Sequence, residues 1–171
     1  MKHLGRKEKI HNVFFNDGTY SKILDSIVIA CVDIMITSGE NILLVKRNIE
    51  PRKGHWWILG GRMIAGESPI ICAKRKLLKD VGFDLIDESR LQYFNTYSTY
   101  FNIRHQEPKN NGSHTVNITY LLELSQDELS ELVFDKYEYA DYVILPKNDV
   151  KKFLESKNED EYITTIINDL L

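Results

Sequence analysis

The chain has 171 residues, 43% hydrophobic, 11% aromatic and 27% charged, with only 9 Gly and 4 Pro. These proportions exclude a disordered, collagen-like or low-complexity chain, and the length suits one domain, residues 1–171, around one core. With 22 Lys and Arg against 25 Asp and Glu, the formal net charge is −3, which excludes a general polyanion coat but leaves room for a local basic site.

In chain order, Met1 to Lys7 carries charge with no apolar stretch behind it, and no run approaches the ~18 apolar residues of a membrane span, so a soluble protein without a leader is expected. Residues 10–25 read as a lead-in strand or coil followed by a short helix, with Tyr20, Ile23 and Leu24 on one face. Ser26 to Thr37 is a β-branched strand, Ser38-Gly39-Glu40 a turn, and Asn41 to Arg47 the return strand of a hairpin. Pro51, Gly54 and the pair Trp56-Trp57 mark a loop or irregular strand, and Gly60-Gly61 breaks any periodicity. The strongest helix signal follows: Ser68 as N-cap, Pro69 at the first position, an apolar stripe from Ile70 to Val81, and Gly82 as the stop. Leu91 to Asn102 and Val116 to Leu124 read as strands around the polar stretch Arg104 to His114, a candidate mobile lid. Asp141 to Leu145 reads as a strand ending at Pro146, and Asn148 to Ser156 and Asp160 to Leu171 as terminal helices. Without a regular βαβα alternation, this order predicts a mixed sheet flanked by helices. Cys31 and Cys72 show no metal spacing and read as buried reduced thiols, which suits a cytoplasmic location.

Chemistry concentrates at Gly60 to Glu67 and the helix after it. Two glycines permit close backbone approach, and a helix N-terminus a few residues on suits a polyphosphate. The spacing resembles the Nudix box, G-x5-E-x7-R-E-U-x-E-E-x-G-U, at residues 61–83, with Gly61, Glu67, Arg75, Leu77, Gly82 and Phe83 in place. The three carboxylates that follow the arginine in that family are Lys76, Lys79 and Asp80 here. These positions share a helix face, so the usual acidic cluster is reduced to one carboxylate flanked by two ammonium groups.

The order of motifs from about residue 27 to 145 resembles the GDP-mannose mannosyl hydrolase branch, through Arg47, Pro51, Gly54, Trp56, Gly60-Gly61-Arg62 and Asp33 on the preceding strand. The resemblance implies a Nudix-like α/β/α sandwich with a mixed sheet. It also implies hydrolysis of a nucleotide sugar to sugar and nucleoside diphosphate with one Mg²⁺. Gly60, Asp80 and Glu138 would hold that ion, Arg47 and Arg62 would neutralise the leaving diphosphate, and Asp33, Trp56 and Tyr120 would bind substrate. Gly61, Glu67 and Arg75 would organise the box loop. The expected partners are this substrate and a second copy of the chain in a homodimer, with no nucleic acid and no membrane.

Other readings stay open beside these. Asp80 is also spaced for an i, i+4 salt bridge with Lys76, and Lys76 and Lys79 could contact phosphate in place of metal. One of Trp56 and Trp57 should face the core. Tyr139 stands where the mannosyl hydrolases carry a histidine base, leaving Glu138, His55 and His114 as candidates for that role. Ordinary pyrophosphate cleavage and a nucleotide-sugar sensor of weak activity remain the alternatives. Residues 46–80 hold nine basic and three acidic groups, a local +6 within the net −3.

Overall fold

The computed structural model describes residues 10, 11 and 13–171; the Met1 to Lys7 stretch weighed for a leader lies outside them. The seven-stranded sheet comprises β1 (Ile29–Ser38), β2 (Asn41–Arg47), β3 (Trp56–Trp57), β4 (Leu59–Arg62), β5 (Gln92–Phe101), β6 (Ser113–Glu123) and β7 (Tyr139–Pro146). The helices are α1 (Asp17–Ser26), α2 (Pro69–Val81), α3 (Gln126–Ser130), α4 (Lys147–Ser156) and α5 (Glu161–Leu170). The sheet is mixed, because β1 runs parallel to β6 while its other pairings are antiparallel.

Alternation along β1 and β2 builds two cores. Val32, Ile34, Ile36, Leu43 and Val45 pack against Cys72, Ala73, Leu77 and Val81 of α2. Met35, Ile42 and Leu44 point the other way, with Trp56, Trp57 and Ile58, onto Val150, Leu154, Ile163 and Ile166 of the terminal helices. The expected α/β/α arrangement follows from this two-sided burial. Among the described residues, no helix is long and apolar enough to cross a membrane.

The hairpin expected from Ser26 to Arg47 is realised only at its tip, where Thr37 pairs with Ile42 and Ser38 with Asn41. Further back β1 exchanges β2 for β4, with Asp33 opposite Gly60, while β2 pairs along its length with β7. Ser26 belongs to α1, which Asn16 caps by accepting the Thr19 N–H at 2.9 Å. Gly60-Gly61, read as a break, lies within a strand.

The expected lid is anchored. Arg104, 1% exposed, donates to Asp25 Oδ1 and Ser21 Oγ of α1, both at 2.7 Å, and to the Gly112 carbonyl at 3.1 Å. Helix α1 and the β5–β6 connection thus form one wall.

Candidate active site

The strand that carries the two glycines makes the floor of a cleft of about 740 Å³, a volume suited to a nucleotide-sized ligand. A Cβ on Gly60 would lie 2.1 Å from Asp33 Oδ1 and 2.5 Å from the Val32 carbonyl oxygen, so only glycine lets β4 pair with β1 here. At Gly61 the nearest atoms are instead Cε and Nζ of Lys76, at 3.0 and 3.2 Å from such a Cβ. The cleft therefore receives Asp33 from β1, Arg47 from β2, Arg62 from β4 and Lys76 from α2, with Glu138 from the loop before β7.

Glu67 and Arg75 brace the loop between β4 and α2. Arg75 donates from Nε and Nη2 to the two Glu67 oxygens, at 2.5 and 2.9 Å, and from Nη2 to the Arg62 carbonyl at 3.0 Å. Glu67 also accepts the Ile64 N–H at 2.7 Å. Burial works against the charge on Glu67, yet Arg75 and that N–H hold its carboxyl below the usual value. The helix itself runs as the Ser68 and Pro69 signals predict: Ser68 Oγ accepts the Ile71 N–H, and Gly82 closes it at φ 69°.

The two lysines of α2 at the former carboxylate positions are already paired, and Lys76 alone of them lines the cleft. Lys76 Nζ lies 2.7 Å from Asp80 Oδ2, with both side chains buried, and Lys79 Nζ lies 3.0 Å from Glu138 Oε1. Tyr139 donates its hydroxyl to the same Asp80 oxygen at 2.9 Å. Burial raises the Asp80 carboxyl above its usual value, partly offset by Lys76. Burial also raises Tyr139 well above the phenol range, so it stays a neutral donor and cannot serve as a base near neutral pH.

The single magnesium implied by the resemblance meets an unsuitable donor set. Asp80 Oδ1 is buried without a hydrogen-bond partner, the one feature that would welcome a cation. Against it, the ammonium already on Oδ2 would repel a divalent ion by about 8 kcal/mol at 4 Å and an effective dielectric of 20. Among the described residues no three His, Cys, Asp or Glu side chains converge on a point, whereas Mg²⁺ demands an ordered set of oxygens. The residues present do not fit the ion.

Asp33, on the floor, is 3% exposed and accepts Asn117 Nδ2–H at 2.8 Å. Burial pushes its carboxyl up to about 7, against the opposing pull of Asn117 and Arg47. Thr115 completes the row by donating to Asn117 Oδ1 at 2.5 Å, which orients the amide towards Asp33. Arg47 sits at a bulge in the β2–β7 ladder and donates from Nε to the Pro51 carbonyl at 2.7 Å. The Arg62 guanidinium lies 4.7 Å over the Tyr20 ring.

Other expected residues are not brought together here. Trp56 is buried edge-on against Phe153 at 5.0 Å, and it is Trp57 that reaches the cleft. Tyr120, 2% exposed, belongs to the core on the α2 side and lines no part of the cleft; its strand pairing with Ile34 and Tyr93 sends the ring to that face. His55 faces Glu159 at 3.1 Å and His114 bonds Ser98 at 2.8 Å, both outside the cleft, so Glu138 alone of the three base candidates lines it. Sequence reasoning missed Arg104 and Arg52. Arg52 ties the β2–β3 loop to Glu159 at 2.8 Å and to Asp160; these partners lie more than 100 residues away, so no local sequence signal marks it.

Comparison with known proteins follows the same lines. Residues 28–165 match the family model described as the NUDIX domain. The chain is 30% identical over 78 residues to the low-salt glycan biosynthesis protein Agl8 of Haloferax volcanii, covering 46% of this chain and 50% of that protein. It is 32% identical over 65 residues to the RNA pyrophosphohydrolase of Rickettsia africae, covering 36% and 40%. The chain thus spans half or less of the length of these curated relatives. Among solved structures it resembles a MutT NUDIX hydrolase from Burkholderia pseudomallei, with TM-score 0.65, 18% identity and coverage of 85% and 100%. It also resembles the NUDIX domain of Shewanella oneidensis NrtR complexed with ADP ribose, with TM-score 0.61, 17% identity and coverage of 91% and 97%.

Proposed function

The chain belongs to the NUDIX domain family, the family of the Nudix hydrolases, and from that premise we propose that it hydrolyses a nucleotide sugar such as GDP-mannose to free sugar and nucleoside diphosphate. The observation that carries this reading is the charge on the cleft: Arg47, Arg62 and Lys76 line it together, while two of the three helix positions that carry metal-binding carboxylates in the family hold lysine. Splitting a pyrophosphate asks for strong charge stabilisation around phosphorus, work that Nudix hydrolases generally assign to divalent ions such as Mg²⁺. Releasing a sugar leaves a whole diphosphate anion, which guanidinium and ammonium groups stabilise directly.

In this reaction the oxygen of water bonds to the anomeric carbon. The bond from that carbon to the diphosphate oxygen breaks, and its electron pair leaves with the diphosphate. Glu138, lining the cleft and held by Lys79, accepts the water proton. Asp33 and Asn117 on the floor offer hydrogen bonds to the nucleoside, and Trp57 an aromatic wall. No step is assigned to a magnesium ion, which the residues present do not suit.

The similarity to a glycan biosynthesis protein supports the sugar-nucleotide reading, and the similarity to an RNA pyrophosphohydrolase supports pyrophosphate cleavage as the alternative. A third reading, a nucleotide-sugar sensor of weak activity, is favoured by the buried Tyr139 in place of a base. Turnover of a nucleotide-sugar panel in H₂¹⁸O separates them. Label in the free sugar is expected; label in a nucleoside monophosphate or sugar phosphate overturns the proposal for pyrophosphate cleavage, and binding without product overturns it for the sensor. A cytoplasmic location and a homodimer complete the proposal. Burial of both free thiols, each pushed up to about 12, suits a reducing compartment, and sedimentation measures the assembly.

A further inference from the structure

Lys76 has the burial of a structural residue and the position of a ligand-binding one. Its side chain is 8% exposed, yet it lines the cleft and lies across β4 at Gly61. A buried ammonium without compensation would be costly, and Asp80 supplies the compensation at 2.7 Å. One carboxylate oxygen satisfies one of its three N–H donors, leaving two for a group in the cleft. Gly61 leaves the space this requires, since the atoms a Cβ would crowd there belong to the Lys76 side chain.

The rest of the helix face is arranged to the same end. Tyr139 also donates to Asp80, so the carboxylate keeps a partner when the ammonium shares itself with a ligand. Lys79 holds Glu138, a carboxylate that lines the cleft as Lys76 does. Asp80 and Glu138 therefore each already carry a cation that is part of the chain.

We propose that the Lys76 ammonium is a built-in cation for the diphosphate at the Gly60-Gly61 strand, so that nucleoside diphosphates bind this cleft without a divalent metal. This rests on the reading of the cleft as a nucleoside diphosphate site. Arg47 and Arg62 grip phosphate oxygens by forked bonds from the walls, and Lys76 supplies a point charge from the floor. Lys76 is thereby a ligand-binding residue in its own right, and Asp80 the residue that positions it. The family's metal-binding helix becomes an anion-binding one by exchange of charge at two positions.

Calorimetric titration of the full chain with GDP, ADP and inorganic pyrophosphate, in EDTA and in excess MgCl₂, tests this. Affinities within about twofold of each other in the two conditions are expected. Lys76→Met alone strands Asp80 in the interior, so the paired variant Lys76→Met/Asp80→Asn is read, with its thermal melt as the check on folding. It is expected to bind at least roughly tenfold more weakly in EDTA, as loss of a charged hydrogen bond entails. Lys76→Glu/Lys79→Glu, which restores the acidic pattern, is expected to bind only with Mg²⁺.

Wild-type binding that disappears in EDTA and returns with Mg²⁺ overturns the inference while leaving the nucleotide-site reading intact. A folded paired variant that binds like the wild type overturns it equally. Failure of all three ligands to bind in either condition removes the nucleotide-site reading and the inference with it. Metal-free binding without turnover of any nucleotide sugar sustains the inference and removes hydrolysis.

Discussion

Asp33 and Gly60 show how much rides on single atoms. In the native chain the Asp33 carboxyl rises from 3.8 to about 7 because it is buried. Between those values the folded state holds a proton that the unfolded state has lost, so stability falls as pH rises through that window. Asp33→Asn removes this penalty. Its stability gain over wild type, measured by urea unfolding, should be small at pH 4 and approach as much as about 4 kcal/mol at pH 8. A gain independent of pH would show that Asp33 is not the group responsible. The adjacent glycines differ in kind. Gly60→Ala drives a methyl into backbone and a buried carboxylate, and a loss of about 3 kcal/mol or more is expected by calorimetry. Gly61→Ala meets only the flexible end of Lys76, so the fold should lose under about 1.5 kcal/mol while diphosphate affinity falls.

At the scale of elements, α2 was legible because its signals are local: Ser68, Pro69 and Gly82 stand at its ends, and the observed helix is Pro69–Val81. Glu67 and Arg75 entered through the resemblance to the Nudix box as loop-organising residues, and the structure adds that they bond each other. Strand β4 was not legible. Two glycines weaken any strand signal, and this one exists because Asp33 and Val32 of β1 admit nothing larger. Helix α3 also went unread, although its capping box, Ser125 with Glu128, is local; at five residues it is too short to show a period. The anchored connection after β5 depends on Arg104 meeting Asp25 and Ser21, some 80 residues earlier in the chain. Arg104→Ala should cost about 2–3 kcal/mol, discounted because Asp25 is partly exposed. It should also speed limited proteolysis between Asn102 and Gly112. Unchanged proteolysis would show that the connection is held by its backbone alone.

Over the whole molecule, a net charge of −3 coexists with the +6 carried by residues 46–80. The fold gathers much of that excess at one opening, where Lys53 of the β2–β3 loop and Lys109 of the β5–β6 connection join the arginines and Lys76 against Asp33, Glu50 and Glu138. A cleft of one dominant sign raises the local concentration of an oppositely charged ligand, and salt screens the effect over about 8–10 Å. Affinity for a nucleoside diphosphate should therefore fall several-fold as NaCl rises towards 1 M, while affinity for the neutral nucleoside stays within about twofold. Equal salt dependence for the two would show that the ligand's charge is not what the cleft reads.

The sequence by itself determined what depends on near neighbours: the capped helix, the box spacing and the basic excess around the glycines. Helix signals and charge runs are written in consecutive residues. Only the tertiary structure decided what those residues face. It placed Tyr139, 59 residues further along the chain, on Asp80, turned Trp57 rather than Trp56 to the cleft, and buried Tyr120 in the core. It also set Lys76 against Gly61, a contact that the helix spacing of Lys76 and Asp80 does not contain. Each of these depends on elements that meet only in the folded chain, where packing between helix and sheet and the pleat of the strands choose the direction of a side chain and distance along the chain carries no information.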